Sequence, residues 1–335
     1  MKKNRRSIFS KKMTILLIFL LIVGVNDLAF GDNTSSQKVL YVASYSFQYA
    51  WSSEIKAGIE SVLKSRKNVQ FRPVSMDTMG MTSSDTVKIK KAALGVKELI
   101  ESWKPDIVIA SDDNASKYLI VPYFIGSDLP FVFCGVNWDA SKYGFPTTNV
   151  TGMIEVQLAD QLIKYLSPYA KGNKIGSIRG DTMTNRTEAK FFEELLGVKI
   201  KTYFVDNIAE WKIKFVQLHT EVDMILVGDI DAVKINDEPK KDVEKFMLDH
   251  TTIPTGCWDA HYKNNSLITV GGIPKEQGEY AAQAALEILD GKSPMDIPIV
   301  RNKKAIIYLN MKLAKKLGII FPMDLIDNAQ LIPAN

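Results

Sequence analysis

Residues 106–115 read DIVIASDDNA, a continuous apolar run that passes directly into polar side chains. An uninterrupted apolar run of this kind is typical of a strand in a parallel sheet that is covered on both faces. Apolar residues at helical spacing precede it over residues 84–103, and a short helix is predicted near residues 115–124. Strands and helices that alternate in this way indicate an α/β fold with right-handed crossover connections.

The alternation of strands and helices runs along the chain in two successive sets. The first set extends from a strand at residues 39–43 to a strand at residues 131–134, and a connection with Gly144 and Pro146 follows. The pattern then restarts with a strand at residues 150–154. Two such sets, without a long linker or a low-complexity tract between them, predict an α/β protein of two doubly wound parallel-sheet lobes.

Residues 1–31 have the pattern of a secretory signal peptide. Six basic residues flank the start of an apolar run from Met13 to Val25, and small residues lie at the cleavage spacing before Asp32. Subtracting this segment's net charge of +5 from the chain's +4 leaves −1, so the basic balance does not favour a nucleic-acid partner. We therefore expect a periplasmic protein that is cleaved near Gly31 and carries no lipid anchor.

Two segments of the chain echo each other: Leu129–Ala140 reads LPFVFCGVNWDA and Ile253–Ala260 reads IPTGCWDA. Each begins with a predicted strand, and ligands of open α/β sheets bind beyond the carboxyl ends of the strands. The side chains of these two segments that could line a cleft between the lobes are Asn137, Trp138, Trp258 and Asp259. The alternative is that the two tryptophans pack against protein at the hinge.

The only two cysteines of the chain, Cys134 and Cys257, lie in these echoing segments. They would sit on opposite lobes, where a disulfide between them would clamp a cleft that has to open. We therefore expect two buried free thiols.

Polar and aromatic residues follow several other predicted strands. The first strand and the SDDNA segment contribute the candidate ligand-binding residues Tyr45, Ser46, Gln48, Trp51, Asp112, Asp113 and Asn114. Such side chains could hydrogen-bond or stack on a small ligand, or could merely cap the helices that follow them. In the second set the candidates are Asp181, Thr184 and Asp229, each of which is also compatible with ordinary loop chemistry. Gly271 is a further candidate, where the backbone could approach a ligand closely or could only bend at the hinge.

Four stretches carry a family resemblance: ASYSFQYAW at residues 43–51, SDDNA at 111–115, LPFVFCGVN at 129–137 and TVGGIPKEQGEYAAQAALEILDG at 269–291. In them the chain resembles the substrate-binding proteins of ABC transporters with the type I periplasmic-binding fold, and in particular the branch related to extracytoplasmic sensor domains of signalling kinases. The resemblance implies that the helix in the last stretch returns to the first lobe, so that the chain crosses the hinge three times. It implies an N-terminal lobe of residues 38–148 and 274–292 and a C-terminal lobe of residues 149–273 and 293–335.

The resemblance also implies a function, namely capture of a small molecule, an amino acid or another ring-bearing solute, for delivery to an ABC permease. The alternative is a ligand-sensing subunit of a membrane signalling protein, without transport. Nothing in the sequence indicates catalysis, because the three histidines lack metal-ligand spacing and neither a phosphate loop nor a nucleophile elbow is present. We expect a monomer with no enzyme activity, no cofactor, no metal and no nucleic-acid partner.

Overall fold

The computed structural model describes residues 36–81, 85–228, 230, 232–233 and 240–334, so the expected signal peptide lies outside the described residues. The strands in chain order are β1 (Gln37–Ala43), β2 (Val69–Ser75), β3 (Ile107–Ser111), β4 (Phe131–Asn137), β5 (Val150–Glu155), β6 (Ile175–Gly180), β7 (Lys201–Val205), β8 (Met224–Val227), β9 (Thr255–Cys257), β10 (Ile268–Gly272), β11 (Val300–Arg301), β12 (Ala305–Asn310) and β13 (Ala329–Ile332). The helices are α1 (Ala50–Leu63), α2 (Thr86–Trp103), α3 (Asp112–Ala115), α4 (Val121–Tyr123), α5 (Ala159–Leu166), α6 (Met183–Leu196), α7 (Ile208–Leu218), α8 (Lys240–His250), α9 (Pro274–Leu289), α10 (Met311–Leu317) and α11 (Met323–Asp327). A π-helical turn at Ser116–Ile120 joins α3 to α4. Within the described part of the chain, no helix is long and apolar enough to cross a membrane.

The strands of the described residues form two sheets, one in each lobe. The first sheet has the order β11-β5-β4-β3-β1-β2, and the second has the order β13-β12-β10-β9-β8-β6-β7. Neighbouring strands are parallel in every pair except β10 with β12. Helices cover both faces of each sheet, so the predicted α/β fold of two doubly wound lobes is confirmed.

Alternate residues of each strand pack into opposite layers of the core. In β1, Val39, Tyr41 and Ala43 face α1 and α9, whereas Leu40 and Val42 face α2. Every residue of β3 is buried, as the continuous apolar run predicts for a central parallel strand. The second lobe repeats this arrangement with a core cluster on each face of its sheet.

The chain crosses between the lobes at three short connections, residues 156–158, residue 273 and residues 302–304. The expectation that the second lobe begins at residue 149 is corrected, because β5 pairs with β4 in the first sheet. The expectation that residues 293–301 belong to the second lobe is corrected as well, since β11 pairs with β5. Ladder hydrogen bonds, and not the position of a strand along the chain, decide which sheet the strand joins.

Side chains tie the three crossings together. The Val156 N–H donates to Asn302 Oδ1 at 2.7 Å and so links the first crossing to the third. The Glu276 carboxylate, at the start of α9, accepts from the backbone N–H groups of Lys303 and Lys304 at 3.0 and 2.8 Å. The second crossing is thereby held against the third, and the three connections form one hinge.

Helices α1 and α9 pack with their backbones in direct contact. A Cβ atom at Gly278 would overlap the Ile55 carbonyl oxygen, and one at Gly58 would overlap the Lys275 carbonyl oxygen. Only glycine permits packing this close. The contact places α9 against α1 in the first lobe, where the family resemblance puts it.

The two cysteines lie in separate cores. Cys134 packs in the first lobe beside α1 and α9, whereas Cys257 packs in the second lobe, and both are buried and free. Burial raises the pKa of both thiols, that of Cys257 to about 12, so they stay protonated near neutral pH. The expectation of two buried thiols on different lobes is confirmed.

Candidate functional site

The carboxyl ends of β5, β4, β3 and β1 stand side by side at one edge of the first sheet. This follows from the pairing, because β3 lies between β1 and β4, and β4 lies beside β5. The residues at or after these ends form what we call the strand-tip cluster: Tyr45, Tyr49, Trp51, Asp112, Asp113, Asn137 and Glu155. Five of them were candidate ligand-binding residues from the sequence, and Tyr49 and Glu155 were not.

Asp112 is buried, with 3% exposure, and it orients the Trp51 ring. Trp51 Nε1 donates to Asp112 Oδ1 at 2.7 Å, and Ser111 Oγ donates to Asp112 Oδ2 at 2.9 Å. The φ angle of Asp112 is +73°, a left-handed conformation that costs a non-glycine residue about 1–3 kcal/mol. Asp112 therefore serves to fix the indole within the cluster, and both of its oxygens already have protein partners.

Gly135 leaves room for the pair formed by Trp51 and Asp112. Its φ is +68°, and a Cβ there would lie 2.8 Å from Asp112 Oδ1 and 3.4 Å from Trp51 Cζ2. The Gly135 N–H donates to Gln277 Oε1 at 3.0 Å, and Gln277 Nε2 donates to the Ile154 carbonyl at 3.3 Å. The buried Gln277 of α9 thus joins the ends of β4 and β5 behind the cluster.

Asp113 and Asn137 form the next part of the strand-tip cluster. Asn137 Nδ2 donates to Asp113 Oδ2 at 2.7 Å, and Tyr143 OH donates to Asp113 Oδ1 at 2.7 Å. Lys142 Nζ lies 2.9 Å from the same Oδ1. The negative charge of Asp113 is therefore balanced within the protein.

The other sequence candidates of the first lobe make local contacts. Asn114 Nδ2 donates to Thr78 Oγ1 at 2.9 Å, which ties α3 to the loop after β2. Ser46 Oγ accepts from the Gln48 N–H at 3.3 Å, and the Gln48 side chain is exposed. These contacts shape the loop that carries Tyr45 and Trp51.

Two tyrosine rings border the carboxylates of the cluster. Tyr45 and Tyr49 meet edge to face with ring centroids 6.0 Å apart, and Tyr49 is 40% exposed. Burial, and then the charge of Asp112, raise the pKa of Tyr45. Burial, and then the charges of Asp259 and Glu155, raise the pKa of Tyr49. Both hydroxyls thus stay protonated near carboxylates that belong to both lobes.

Glu155, the last residue of β5, is a site residue that the sequence analysis missed. It pairs in register with Asn137 of β4. Burial, and then the charges of Asp112 and Asp113, raise the pKa of Glu155 well above its usual value. No hydrogen bond or ion pair joins its carboxylate to another described residue. The available signal is a carboxylate directly after the strand predicted at residues 150–154.

On the second lobe an aromatic cluster encloses Arg179. The guanidinium lies 4.5 Å from the Phe192 ring centroid and 4.4 Å from that of Trp258, and it pairs with Glu188. Burial lowers the pKa of Arg179. Trp258 is only 8% exposed and packs in the core of this lobe, so its ring is part of the interior.

The tryptophan of the first echoing segment reaches the same aromatic cluster from the other lobe. Trp138 stacks on Phe191 of α6 with ring centroids 5.0 Å apart, and it also contacts Phe192. Phe192 in turn meets Trp258 edge to face at 4.7 Å. The two echo tryptophans therefore pack against protein where the lobes meet, which favours the packing alternative over two open aromatic walls.

Two second-lobe candidates lie at the surface, Asp181 just before α6 and Thr184 in its first turn. Asp181 forms an ion pair with Arg186 at 2.6 Å, and Thr184 is exposed. Among the described residues, no hydrogen bond or ion pair joins either residue to the strand-tip cluster. Asp229 lies outside the described residues.

The last two candidates are Asp259, which lies shortly after β9, and Gly271, which lies near the end of β10. Gly271 faces Ala260, where a Cβ would lie 3.0 Å from the alanine Cβ, so this glycine serves packing within the second lobe. Asp259 is exposed and accepts from the His261 N–H at 2.8 Å. The charge of Asp259 contributes to the raised pKa of Glu155, so Asp259 lies near the strand-tip cluster.

A pH dependence of stability follows from the buried carboxyl of Asp112. Burial raises its pKa from 3.8 to about 7, and the nearby Asp113 adds to the rise while Trp51 and Ser111 oppose it. Its contribution to the free energy of unfolding is therefore fully present below about pH 4 and is lost as the pH rises to about 7. We expect Asp112→Asn to flatten this decline in urea unfolding measured across that range, although Glu155 keeps a decline of the same sign. Identical pH profiles for the variant and the parent would contradict the assignment.

Comparisons with known proteins agree with this architecture. The family model for ABC transporter substrate binding proteins matches residues 51–332. The chain is similar to a ligand-free, open structure of a substrate binding protein with adhesive properties from Clostridium difficile, at 16% identity and a TM-score of 0.68, over 89% of this chain and 100% of that one. It is also similar to an ABC domain in complex with L-Trp from Streptococcus pneumonia, at 20% identity and a TM-score of 0.55, over 89% of this chain and 100% of that one. A comparison with curated protein sequences gives no match.

At these identities the solved structures support the fold alone, whereas the family model matches sequence directly. Its match begins at Trp51 of the strand-tip cluster and ends at Ile332 in the last strand of the second lobe. It therefore includes most of both lobes and all three crossings of the hinge. The chain belongs to the family of ABC transporter substrate binding proteins.

Proposed function

We propose that this protein captures a ring-bearing small solute between its two lobes, on the strand-tip cluster, and delivers it to an ABC transporter. The observation that carries the proposal is the Trp51 indole, partly exposed and held by Asp112 where four strand ends meet. Ligand sites of proteins are concave surfaces lined by aromatic side chains with a few fixed polar groups, and the cluster has this composition.

The hinge supports a capture mechanism in which the lobes close over the solute. Three short crossings join the lobes, and few residues have to change conformation for such closure. In the same proposal the protein works as a monomer outside the cytoplasmic membrane, in line with the signal pattern of residues 1–31. Affinity then comes from burial of the solute between both lobes.

The proposed site predicts a loss of affinity in Trp51→Ala. We expect the dissociation constant of the solute recovered from the purified protein to rise about tenfold, because the variant loses a ring surface in the site. Mass spectrometry identifies the recovered solute, and titration calorimetry measures its affinity.

Trp103→Ala is the matched control for this experiment. Trp103 is also a partly buried tryptophan of the first lobe, but it lies beside Lys38 at the opposite end of the sheet. We expect this variant to bind as the parent does. Equal affinities of all three proteins would contradict the placement of the solute on the strand-tip cluster.

A further inference from the structure

We infer that Trp138 is a latch between the lobes, and that the stack of its ring on Phe191 limits how far the lobes separate. We call the arrangement with this stack latched and the arrangement without it unlatched. The inference goes beyond capture of a solute, because protein groups make the contact on both sides. The latch therefore sets the ratio of the two arrangements before any solute binds.

The backbone and the ring of Trp138 are held by different lobes. Trp138 directly follows β4, and its N–H donates to the Glu155 carbonyl at the end of β5 at 2.8 Å. Its ring lies parallel to that of Phe191 of α6, with 2° between the planes and 5.0 Å between the centroids. It packs against the core cluster of the second lobe. This one residue is thus anchored in the first sheet by its backbone and in the second lobe by its side chain.

The backbone of Trp138 is strained. Its φ angle is +61°, in the left-handed region that a bulky side chain seldom adopts. A residue keeps such a conformation only where surrounding contacts hold it. The stack on Phe191 is a contact of this kind, and separation of the rings would let the backbone relax. The latched and unlatched arrangements are therefore two discrete states of this segment.

The surface that receives the Trp138 ring is rigid. Phe192, which also meets this ring with centroids 5.5 Å apart, is fully buried. Phe192 packs edge to face with Trp258 and against the buried guanidinium of Arg179. Groups that are already fixed lose little conformational freedom when a further ring packs on them. Most of the free energy of the contact is then available to hold the lobes together.

The stack is separate from the three crossings of the hinge. The crossings bond to one another, as in the contact of Val156 with Asn302, and such bonds can persist while the lobes rotate. Phe191 lies in the interior of α6, outside all three crossings. Any rotation that moves α6 away from the end of β4 has to break the stack. An aromatic pair of ordinary strength then changes the ratio of latched to unlatched molecules about tenfold.

Pulsed electron paramagnetic resonance on the protein, after dialysis has removed bound solute, tests the latch. Spin labels are attached at Gln48→Cys in the first lobe and Thr184→Cys in the second, which are exposed positions, whereas both native thiols are buried. We expect one main distance between the labels in the parent. In Trp138→Ala we expect a second population at a longer distance, because the ratio of latched to unlatched molecules falls about tenfold.

Phe191→Ala removes the other ring of the stack and serves as an independent second variant, also for the case that Trp138→Ala does not fold. We expect it to give the same second population. Since either replacement already abolishes the stack, the double variant should change the distances no further. Additive shifts of the two single variants would overturn the latch.

Tyr169→Ala is the matched control, because it removes a half-buried ring from an aromatic pair that lies within one lobe. Tyr169 meets Phe321 edge to face with ring centroids 5.3 Å apart, and both belong to the second lobe. We expect this variant to keep the distance distribution of the parent. The latch would be refuted if Trp138→Ala kept that distribution too, or if Tyr169→Ala gave the longer distance.

Discussion

Gly278→Ala is expected to lower the free energy of unfolding by about 3 kcal/mol, a large loss for the addition of one methyl group. The methyl carbon would overlap the Ile55 carbonyl oxygen of α1, and backbone atoms cannot move aside as a flexible side chain can. The helices would have to separate, which would also disturb Gln277 and Glu276 in the preceding turn of α9. Urea unfolding monitored by circular dichroism measures the effect.

Gly95→Ala is the matched control, because it makes the same chemical change in the interior of a helix. Gly95 lies in α2, and a Cβ there would have no atom within 4 Å. Alanine is a better helix former than glycine, so this variant is expected to be more stable by about 0.5–1 kcal/mol. If both variants had the same stability, the close contact of α1 with α9 would be refuted.

Trp258→Ala is expected to lower the free energy of unfolding by about 4 kcal/mol, as large-to-small replacements in cores do. The ring is 8% exposed, contacts Phe192 edge to face, and covers the buried guanidinium of Arg179. Its removal would leave both a cavity and a buried cation that has lost one aromatic partner. Differential scanning calorimetry and urea unfolding measure the loss.

Trp258→Phe keeps an aromatic ring at the same position and is expected to recover most of the stability.

The stability of Trp258→Ala can also be compared with that of Trp51→Ala. Trp51 is partly exposed, so its replacement should affect binding more than stability. Ordinary surface substitutions change the free energy of unfolding by no more than about 1 kcal/mol. If the free energy of unfolding of Trp258→Ala differed from that of the parent by no more than this, the ring would not be part of the core.

The sequence predicts the strands and helices well where apolar runs are long. The helix expected at residues 84–103 is α2 (Thr86–Trp103), and the strand expected at residues 131–134 lies within β4. Burial on both faces imposes a continuous apolar run on a central strand, and this requirement is visible locally. By contrast, β11 and β13 are short edge strands of two and four residues, and an edge strand imposes little on its own sequence.

The site is predicted less completely, because its chemistry depends on neighbours that are distant in sequence. Trp51, Asp112, Asp113 and Asn137 do meet at adjacent strand ends, as their positions after predicted strands indicate. Their roles differ from the expectation, since Asp112 binds the indole of Trp51 across 61 residues of chain. Glu155 is not among the residues that the sequence indicates, because its place beside Asn137 depends on the pairing of β5 with β4.

The sequence by itself determined the α/β class, the two lobes and the strand ends that carry polar side chains. These properties follow from the burial of each segment, which hydrophobic periodicity reports directly. Only the tertiary structure decided that β5 joins the first sheet, that Trp258 is interior and that no described residue bonds the Glu155 carboxylate. Such features depend on contacts like that of Gly135 with Gln277, 142 residues apart, which no local pattern encodes.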